Sequence, residues 1–279
     1  MKSVVITGAS TGIGLATARV LLAQGLRVFG SVRRQEDAAR LSAGLGAAFT
    51  PLIFDVTDEA AVHAAADEVR KSLAGETLFG LVNNAGIAVP GPLLHLRIED
   101  FRRQLDVNLT GQLICVQAFA PLLDGDDPGR IVMISSVGGR NAAPFVGPYA
   151  ASKFGLEGLS ESLRREMMVF GIDVIVIAPG SVATPIWDKA DAADIAPFAG
   201  TAYAAPLAKL KTEVIARGRK GLSPEVIGRA VFGSLTAAHP RPRITITPEP
   251  VTHFALRLLP KRWADRLYAR ALGLRRARP

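Results

Sequence analysis

The chain is poor in the residues that build disulfides and metal sites. It holds a single cysteine, Cys115, among 279 residues, so no intrachain disulfide can form and the sequence suits a reducing compartment. Cys115 lies in the apolar stretch LICVQAF, which predicts a small buried side chain and not a nucleophile. The four histidines, at positions 63, 95, 239 and 253, are too scattered to supply ligands at metal spacing. We therefore expect no metal site.

Long hydrophobic runs are also missing. No stretch reaches the roughly 18 uninterrupted apolar residues that a membrane-spanning helix needs. The N-terminus enters an apolar strand pattern within three residues, which leaves no room for a signal peptide. Apolar residues make up 49% of the chain and charged residues 21%, as in ordinary globular proteins. These features predict a cytoplasmic protein.

The positive charge of the chain is confined to its C-terminus. Eight lysines and arginines lie between residues 253 and 279, at positions 257, 261, 262, 266, 270, 275, 276 and 278, against the single acid Asp265. This segment therefore carries +7 of the net charge of +8, and the other 252 residues carry only +1. No basic stripe with interleaved aromatic residues runs through the body of the chain, so we expect no nucleic-acid binding.

Short apolar runs alternate with helix-length segments along most of the chain. Seven runs have the pattern of strands: SVVIT (3–7), RVFGSV (27–32), AFTPLIF (48–54), LFGLVN (78–83), RIVMIS (130–135), IDVIVIA (172–178) and RITIT (243–247). Several are apolar at nearly every position, which is typical of strands buried on both faces of a parallel sheet. The alternation predicts an α/β fold, a doubly wound parallel sheet with right-handed crossovers, and ligands at the carboxyl ends of its strands.

Two segments depart from this rhythm. Residues 185–220, after the sixth run, combine prolines with short helical patches and predict a lid over the binding crevice. Residues 251–279 form a basic extension after the core, so we divide the chain into a dinucleotide-binding domain (1–250) and this extension. A surface excursion without a role is the alternative for the lid segment.

A glycine-rich turn follows the first predicted strand. The segment Thr7-Gly8-Ala9-Ser10-Thr11-Gly12-Ile13-Gly14 places its glycines where a strand ends and a helix begins. Such glycines permit a tight turn and let the backbone approach a pyrophosphate, whose charge the helix N-terminus then binds. The position of the segment after a strand and before a helix makes it more than a helix cap.

The residues after the second strand indicate which dinucleotide binds. An acid there would accept a hydrogen bond from the adenosine ribose and repel a 2′-phosphate, but this chain has Val32-Arg33-Arg34. An arginine suits a phosphate, so Arg33 favours NADP, with NAD as the alternative. Solvated charges at a helix start are the other interpretation of these two arginines.

Two more turns fall at the same edge of the predicted sheet. Asp55 and Val56 follow the third strand, where a carboxylate could accept a hydrogen bond from the adenine amino group. The segment Asn83-Asn84-Ala85-Gly86 follows the fourth strand, where small residues let the backbone lie near the adenosine ribose. Each segment taken alone also fits an ordinary turn.

The strongest chemical signal is the pair Tyr149 and Lys153. The two residues are four apart in a helical pattern, so their side chains share one helix face. A phenol has an unperturbed pKa near 10, and a nearby ammonium together with an oxidised nicotinamide would lower that pKa. Tyr149 could then exchange a proton with an alcohol or ketone oxygen, while Ser136, at the end of a neighbouring strand, orients the same oxygen.

Taken together, TGASTGIG, NNAG, Asn108, ISS (134–136) and YAASK resemble the short-chain dehydrogenase/reductase superfamily, in its shorter single-domain branch. The resemblance covers about residues 3–250. It implies a Rossmann-type sheet of seven parallel strands and a catalytic tetrad of Asn108, Ser136, Tyr149 and Lys153. It also implies that Lys153 bonds the nicotinamide ribose and that Asn108 holds a water which relays protons.

The resemblance adds further expectations about ligands and assembly. The segment Pro179-Gly180-Ser181-Val182-Ala183-Thr184 matches the family's nicotinamide-carboxamide loop, and a homodimer or homotetramer is usual. One departure is Thr11, where NADP-binding members often carry a basic residue. RVFGSVRR and the long lid resemble the branch that acts on steroids, retinoids and similar alcohols, and the apolar lid residues point to a lipophilic alcohol or ketone as substrate. An NAD-dependent dehydrogenase of a small hydroxy compound and a catalytically silent dinucleotide sensor remain the alternatives.

The C-terminal extension has an amphipathic pattern. Trp263, Leu267, Ala271 and Leu274 fall on one helical face, with Arg262, Arg266 and Arg270 beside them. Such a helix can lie on an anionic membrane surface, which would make the protein peripheral to the membrane. The alternative is that the apolar face closes the substrate pocket or a subunit interface.

Overall fold

The fold is built on a seven-stranded parallel sheet. The computed structural model describes residues 1–192 and 194–274. The strands are β1 (Ser3–Ile6), β2 (Arg27–Val32), β3 (Phe49–Ile53), β4 (Gly80–Asn83), β5 (Arg130–Ile134), β6 (Asp173–Pro179) and β7 (Arg243–Ile246). Their order across the sheet is β3-β2-β1-β4-β5-β6-β7, and each neighbouring pair is parallel. The predicted doubly wound sheet is confirmed, with strand ends shifted by at most two residues.

Helices cover both faces of the sheet. They are α1 (Gly12–Ala23), α2 (Gln35–Leu45), α3 (Glu59–Leu73), α4 (Ile98–Leu105), α5 (Gly111–Phe119), α6 (Gly147–Glu166), α7 (Ile186–Asp191), α8 (Ala204–Arg219), α9 (Pro224–Thr236), α10 (Pro250–Leu258) and α11 (Lys261–Leu272). One buried apolar cluster joins the sheet to α3, α5 and α6, and a second joins it to α1, α2 and α9. Strands buried on both faces explain the nearly continuous apolar runs of the sequence. Within the described residues, no helix has the length and apolarity required to cross a membrane.

The order of the strands reverses beside β1, and this places two sequence motifs together. β1 pairs with β2 on one side and with β4 on the other. The connections that follow β1 and β4 therefore diverge, and a crevice opens at the carboxyl end of β1. The backbone N–H of Asn84, just after β4, donates to the Thr7 hydroxyl at 2.9 Å, and the Asn84 side chain donates to the Thr7 carbonyl at 2.8 Å. The glycine turn and the NNAG segment are therefore held side by side at the crevice.

Beyond β6 the chain leaves the sheet. It forms α7 and α8, returns through α9 to β7, and ends in α10 and α11. Helix α11 packs against α8, where Leu272 joins Phe145 and Leu207 in a third buried cluster. The last helix therefore covers the segment that the sequence predicts to be a lid.

The inward face of α11 is not the one that closure of the pocket by Trp263 and Leu267 requires. Ala264 and Leu272 are buried, whereas Trp263 and Leu267, which this interpretation buries together with Ala271 and Leu274, are exposed. Leu274, past the end of the helix, turns back onto the lid cluster. Of the basic C-terminal residues, the side chain of Arg257 and all of Arg275, Arg276 and Arg278 lie outside the described part.

Candidate active site

The glycine turn after β1 forms an open cradle at the start of α1. Gly8 and Gly12 adopt positive φ values of 69° and 59°, which favour glycine. A Cβ atom added to Gly14 would lie 2.2 Å from the Gly8 carbonyl oxygen, so only glycine fits there. The side chain of Thr11, the N-cap residue, does not cap the helix, and the first turn of α1 contains no acid. The helix N-terminus is therefore free to bind an anion such as a pyrophosphate.

Arg33, at the end of β2, lies at the edge of this cradle. Its guanidinium is 3.8 Å from the carboxylate of Asp55, and both side chains are partly exposed. Asp55 also accepts hydrogen bonds from the backbone N–H and the hydroxyl of Thr57, at 3.0 and 2.8 Å. Val56 next to it is buried against Gly111. Asp55 therefore stabilises its own turn and also lies within reach of Arg33. The sequence alone does not indicate this proximity to Arg33.

Arg40 is a second cation at the cradle, and no pattern in the sequence singles it out. It donates to the Ser10 carbonyl at 3.1 Å from helix α2 and pairs with Asp37 at 2.6 Å. This pairing and the neighbouring Arg34 lower the pKa of Asp37, the Arg40 hydrogen bond most strongly. Two cations, Arg33 and Arg40, therefore lie at the edge where a ribose phosphate would be recognised.

The NNAG segment is held by its own hydrogen bonds. Asn84 bridges to the glycine turn, and the Ala85 N–H donates to Thr7 Oγ1 at 2.9 Å. The Asn83 side chain, by contrast, is buried and donates to the Gln112 carbonyl at 3.0 Å. Among the side chains expected to contact the nucleotide, that of Asn83 is directed into the core, which leaves only its main chain for this role. Gly86 lies close to Asn108: a Cβ atom added to Gly86 would be 3.3 Å from Asn108 Oδ1.

Ser136 and Tyr149 meet at the carboxyl end of β5. The Ser136 hydroxyl accepts a hydrogen bond from the Gly138 N–H at 3.0 Å and donates to the Pro179 carbonyl at 3.5 Å. An added Cβ at Gly138 would lie 3.3 Å from both the Ser136 hydroxyl and the Tyr149 ring. The absence of a side chain at position 138 therefore lets the ring of Tyr149 approach the serine.

Lys153 reaches the same place from one turn further along α6. Its ammonium donates to the Ile134 carbonyl at 2.8 Å and lies 5.9 Å from the centre of the Tyr149 ring. Lys153 is buried, and an ammonium has three donors, so two remain for other partners. The structure therefore brings Ser136, Tyr149 and Lys153 together as the spacing predicts.

Burial disfavours the charged forms of both Tyr149 and Lys153 and shifts their pKa values accordingly. Desolvation raises the pKa of Tyr149, and the nearby Ser136 hydroxyl opposes this rise. Desolvation also lowers the pKa of Lys153 to about 8, against the carboxylate of Glu157, which raises it. We expected a lowered pKa for Tyr149 with an oxidised nicotinamide bound. In the protein without cofactor the pKa is raised, because the effect of burial outweighs that of Ser136.

Asn108 lies in a π-helical turn (Asp106–Thr110) between α4 and α5. Its side-chain oxygen accepts from the Ile87 N–H at 2.8 Å, and its side-chain nitrogen donates to the Ile87 carbonyl and to Ser152 at 3.0 and 3.1 Å. π-helical turns are frequent at functional sites. Because both side-chain N–H groups of Asn108 already donate, a water held by this residue would have to bond its main chain or the second lone pair of its side-chain oxygen.

A partly buried ion cluster lies close to Lys153. The Glu157 carboxylate accepts from the Arg243 guanidinium at 2.7 and 3.1 Å and lies 3.3 Å from Arg140. Arg140 follows the turn that begins at Ser136, and Arg243 opens the edge strand β7. Glu157 therefore ties the helix of Tyr149 and Lys153 to the loop of Ser136.

The loop after β6 closes the crevice on the other side of the cradle. The Gly180 N–H donates to the Ile246 carbonyl at 2.8 Å, and the Val182 carbonyl accepts from the Trp187 indole at 2.6 Å. Thr184 touches the glycine turn, since an added Cβ on Gly12 would be 3.3 Å from it. The Trp187 ring packs on Gly218 at the base of the lid.

The lid contributes apolar and aromatic groups near the start of α6. Phe145, Leu207 and Leu272 are buried together, and Tyr203 packs edge-on against Phe145 and His95, each at 5.8 Å between ring centres. Ile195, Phe198, Tyr203, Leu210 and Leu274 pack partly buried around them. Phe145 lies two residues before α6, the helix that carries Tyr149, so this cluster packs at the start of that helix.

Other candidate groups play no part in this site. Cys115 is buried in the core, and burial raises the pKa of its thiol to about 12, so it is a packing residue. In the two described ranges, no cluster of three or more histidine, cysteine, aspartate or glutamate side chains is placed to hold a metal ion.

Comparisons with known proteins agree with this geometry. A family model described as short chain dehydrogenase matches residues 2–194. The NADPH-dependent 3-dehydrocapnine reductase of Ornithobacterium rhinotracheale is 36% identical over 277 residues and covers 98% of each chain. Retinol dehydrogenase 16 of Mus musculus is 35% identical over 256 residues, which cover 87% of this chain and 79% of that protein.

A solved structure extends the likeness to three dimensions. A short-chain dehydrogenase/reductase of Burkholderia phymatum in complex with NAD superposes with a TM-score of 0.79 at 25% identity, covering 92% of each chain. The family match, the relatives and the superposition agree on the fold and on a nicotinamide dinucleotide as cofactor. The chain belongs to the short-chain dehydrogenase family and is an NAD(P)-dependent oxidoreductase that acts on alcohol or ketone groups.

Proposed function

We propose that this chain is an NADP(H)-dependent oxidoreductase that interconverts a lipophilic ketone and the corresponding secondary alcohol. The observation that carries the proposal is the convergence of Ser136, Tyr149 and Lys153 at the strand edge, next to the apolar lid cluster around Phe145. These three residues together with Asn108 form the proposed catalytic set.

Each member has a role that its surroundings support. Ser136 holds the carbonyl oxygen of the substrate by a hydrogen bond, and Tyr149 donates its phenolic proton to that oxygen in the reduction. Lys153 stabilises the phenolate that remains and uses its two free donors on the nicotinamide ribose. The bound dinucleotide supplies the hydride for reduction and accepts it in oxidation. Asn108 fixes the turn against which Ser152 and α6 are packed.

The crevice offers a continuous set of groups for the dinucleotide. The proposed contacts are Gly8, Ser10, Thr11, Gly12, Ile13, Gly14, Arg33, Asp55, Val56, Asn83, Ala85, Gly86, Tyr149, Lys153, Pro179, Gly180, Val182 and Thr184. NADP is the proposed form because Arg33 and Arg40 stand where an acid would select NAD. The relative named as NADPH-dependent supports this choice, and NAD is the alternative.

The substrate is proposed to be steroid-, retinoid- or long-chain-alcohol-like. The lid cluster is apolar and aromatic, which suits a lipophilic molecule. Of the two relatives reported above, one is named a dehydrocapnine reductase and the other a retinol dehydrogenase. A small hydroxy compound would leave this apolar surface uncovered by ligand.

Domain boundaries and assembly complete the proposal. Residues 1–250 form the dinucleotide-binding domain with its lid at 185–220, and residues 251–279 form the extension, whose helix α11 packs on the lid. A homodimer or homotetramer through α4, α5 and α6 is supported by Leu113 and Phe154, which are exposed on the outer faces of α5 and α6. Light scattering at micromolar concentration should give at least the mass of a dimer.

The test is a steady-state assay that follows NADPH oxidation. We expect turnover with long-chain and steroid ketones, a lower KM for NADPH than for NADH, and little activity with short, charged keto acids. Activity confined to short keto acids would overturn the substrate class, and equal KM values for the two cofactors would overturn the phosphate-binding role. Dinucleotide binding without turnover of any ketone or alcohol would favour a silent sensor.

A further inference from the structure

The outward face of the C-terminal helices is apolar and unpartnered. Trp263 and Leu267 on α11 are 59% and 50% exposed, and on α10 Val251, Phe254 and Leu258 are 80%, 61% and 69% exposed. Within each helix these residues follow one another at three- or four-residue spacing, so each set forms a stripe. Large side chains exposed in such stripes usually mark a binding surface.

A row of arginines runs beside the α11 stripe. Arg262, Arg266 and Arg270 are exposed, and Arg266 lies over the Trp263 ring at 5.8 Å. With Lys261 and Asp265, α11 carries four positive charges and one negative, a net of +3. None of these four cations forms an ion pair with a residue in the described ranges.

Three other surface helices each pair an arginine with an acid of the same helix. Arg70 pairs with Asp67 on α3, Arg103 with Asp100 on α4, and Arg165 with Glu161 on α6. Each of these pairs joins an arginine to an acid three or four residues away. On α11, Asp265 lies three residues from Arg262 but forms no ion pair with it in the described part of the chain, and Arg266 and Arg270 have no acid three or four residues away. The charges of these arginines therefore remain available to an anionic partner.

The opposite face of α11 fixes this orientation. The Asn141 side chain donates to the Tyr268 hydroxyl at 2.9 Å, and Leu272 is buried with Phe145 and Leu207. An ion pair of 3.6 Å between Arg217 and Glu249 ties α8 to the start of α10. The helix cannot turn its stripe inward without exposing the lid cluster.

We propose that α10 and α11 dock the enzyme on an anionic membrane surface, with Trp263 and Leu267 at the headgroup boundary and Arg262, Arg266 and Arg270 on lipid phosphates. Basic amphipathic helices bind in this way. A second copy fits less well, because a two-fold interface through this face would set two rows of arginines against each other. Because α11 also closes the lid cluster, docking would bring the substrate site to the bilayer, where lipophilic ketones accumulate.

The experiment is co-sedimentation of the full chain with vesicles. We expect binding to phosphatidylglycerol–phosphatidylcholine vesicles, weaker binding at high salt, and little binding to pure phosphatidylcholine. The variant Arg262→Gln/Arg266→Gln/Arg270→Gln and the variant Trp263→Ser/Leu267→Ser should each bind at least about tenfold more weakly. The matched control is Met168→Ser/Val169→Ser, which removes two even more exposed apolar residues elsewhere and should bind normally.

Tryptophan fluorescence provides a second readout that needs no destabilised variant. The emission of the unmodified protein should shift to shorter wavelength with anionic vesicles, and Trp263→Phe should abolish the shift while binding persists. No sedimentation of the unmodified chain, or equal sedimentation of all variants, would overturn the proposal. So would a lower oligomer mass of Trp263→Ser/Leu267→Ser with unchanged vesicle binding, because the face would then join two copies. Vesicle binding requires neither cofactor nor substrate, so its failure is distinct from failure of the proposed catalysis.

Discussion

The nucleotide side and the proposed substrate side of the molecule are held in place by different kinds of interaction. Around the glycine turn, positions are fixed by backbone: Gly14 admits no Cβ, and Asn84 bonds two carbonyls of the turn. Around the lid, positions are fixed by apolar side chains, such as Leu207 packing on Phe145 and Leu272. Backbone hydrogen bonds accept one geometry, whereas an apolar cluster accepts many sequences of similar volume. The cofactor side can therefore be recognised in the sequence as a motif, whereas the residues of the substrate side, and with them the substrate specificity, can vary.

The largest expected effect lies at the junction of the two sides. Tyr149→Phe removes the proposed proton donor and keeps the ring, so we expect kcat to fall by about 10³-fold. NADPH binding, followed by fluorescence of the reduced nicotinamide, should be retained because the glycine turn is untouched. A variant with near-normal kcat would show that another group carries the proton.

Gly14→Ala should damage the nucleotide side most. The new Cβ would lie 2.2 Å from the Gly8 carbonyl oxygen, so the turn must shift and KM for NADPH should rise by about 100-fold. The matched control is Gly44→Ala in α2, whose Cβ meets nothing within 4 Å. That control should keep its kinetics and gain about 0.5–1 kcal/mol of stability. Similar kinetics for both variants would mean that the turn is not the dinucleotide cradle.

Arg33→Ala tests which dinucleotide the nucleotide side selects. Loss of a charge-assisted contact should raise KM for NADPH by about tenfold and leave KM for NADH nearly unchanged. Arg70→Ala, which removes an exposed arginine paired on α3, serves as the control. An equal rise for both cofactors would assign Arg33 to the shape of the crevice and not to the 2′-phosphate.

Glu157→Gln probes the ion cluster that ties the two sides together. Glu157 raises the pKa of Lys153, which burial lowers to about 8, so without its charge Lys153 loses its proton at lower pH. Ketone reduction needs charged Lys153 and protonated Tyr149, so the alkaline limb of the kcat profile should move to lower pH, with kcat at pH 8 about fivefold lower.

The control for this prediction is Glu161→Gln, one turn further along α6, where the carboxylate is exposed and pairs with Arg165. Its pH profile should equal that of the unmodified enzyme, and Glu157→Asp should restore part of the original profile. Arg140 and Arg243 pair with Glu157, and Arg164, Lys261 and Glu161 line the same recess of about 500 Å³. A lower kcat with an unshifted profile would mean that Glu157 acts only in packing.

The smallest effect is expected in the lid. Leu207→Ala and Leu41→Ala both truncate buried leucines, on the substrate and nucleotide sides respectively, and each should cost about 2–4 kcal/mol of stability. Only Leu207→Ala should raise KM for a lipophilic ketone, by about threefold, with KM for NADPH unchanged. Equal kinetic changes in the two variants, measured at matched folded fractions, would erase the proposed division.

Sequence reasoning succeeded where local pattern determines structure. The seven strands followed from apolar runs, and the meeting of Ser136, Tyr149 and Lys153 followed from helical spacing and strand ends. It missed Arg40, because the contact with Ser10 joins residues 30 positions apart. It missed the pairing of Glu157 with Arg243 for the same reason, since 86 positions separate them.

The C-terminal helix shows a second limit of sequence patterns. Helix α11 carries two candidate stripes, one with the large Trp263 and Leu267 and one with Ala264, Tyr268 and Leu272. Residue size favours burying the first stripe, but packing distance to α8 and the hydrogen bond from Asn141 to Tyr268 select the second. Which stripe faces the protein depends on the shape of the lid, and no periodicity contains that shape.

The most direct test of the central claim follows the hydride itself. NADPH that carries deuterium at C4 of the nicotinamide is incubated with the enzyme and a long-chain ketone, and the alcohol product is analysed by mass spectrometry. With the cofactor labelled on the transferred face, the alcohol should contain one deuterium on its carbinol carbon, and Tyr149→Phe should form almost no labelled product. Alcohol without deuterium from either labelled face, or no alcohol from any lipophilic ketone, would contradict hydride transfer to such a substrate.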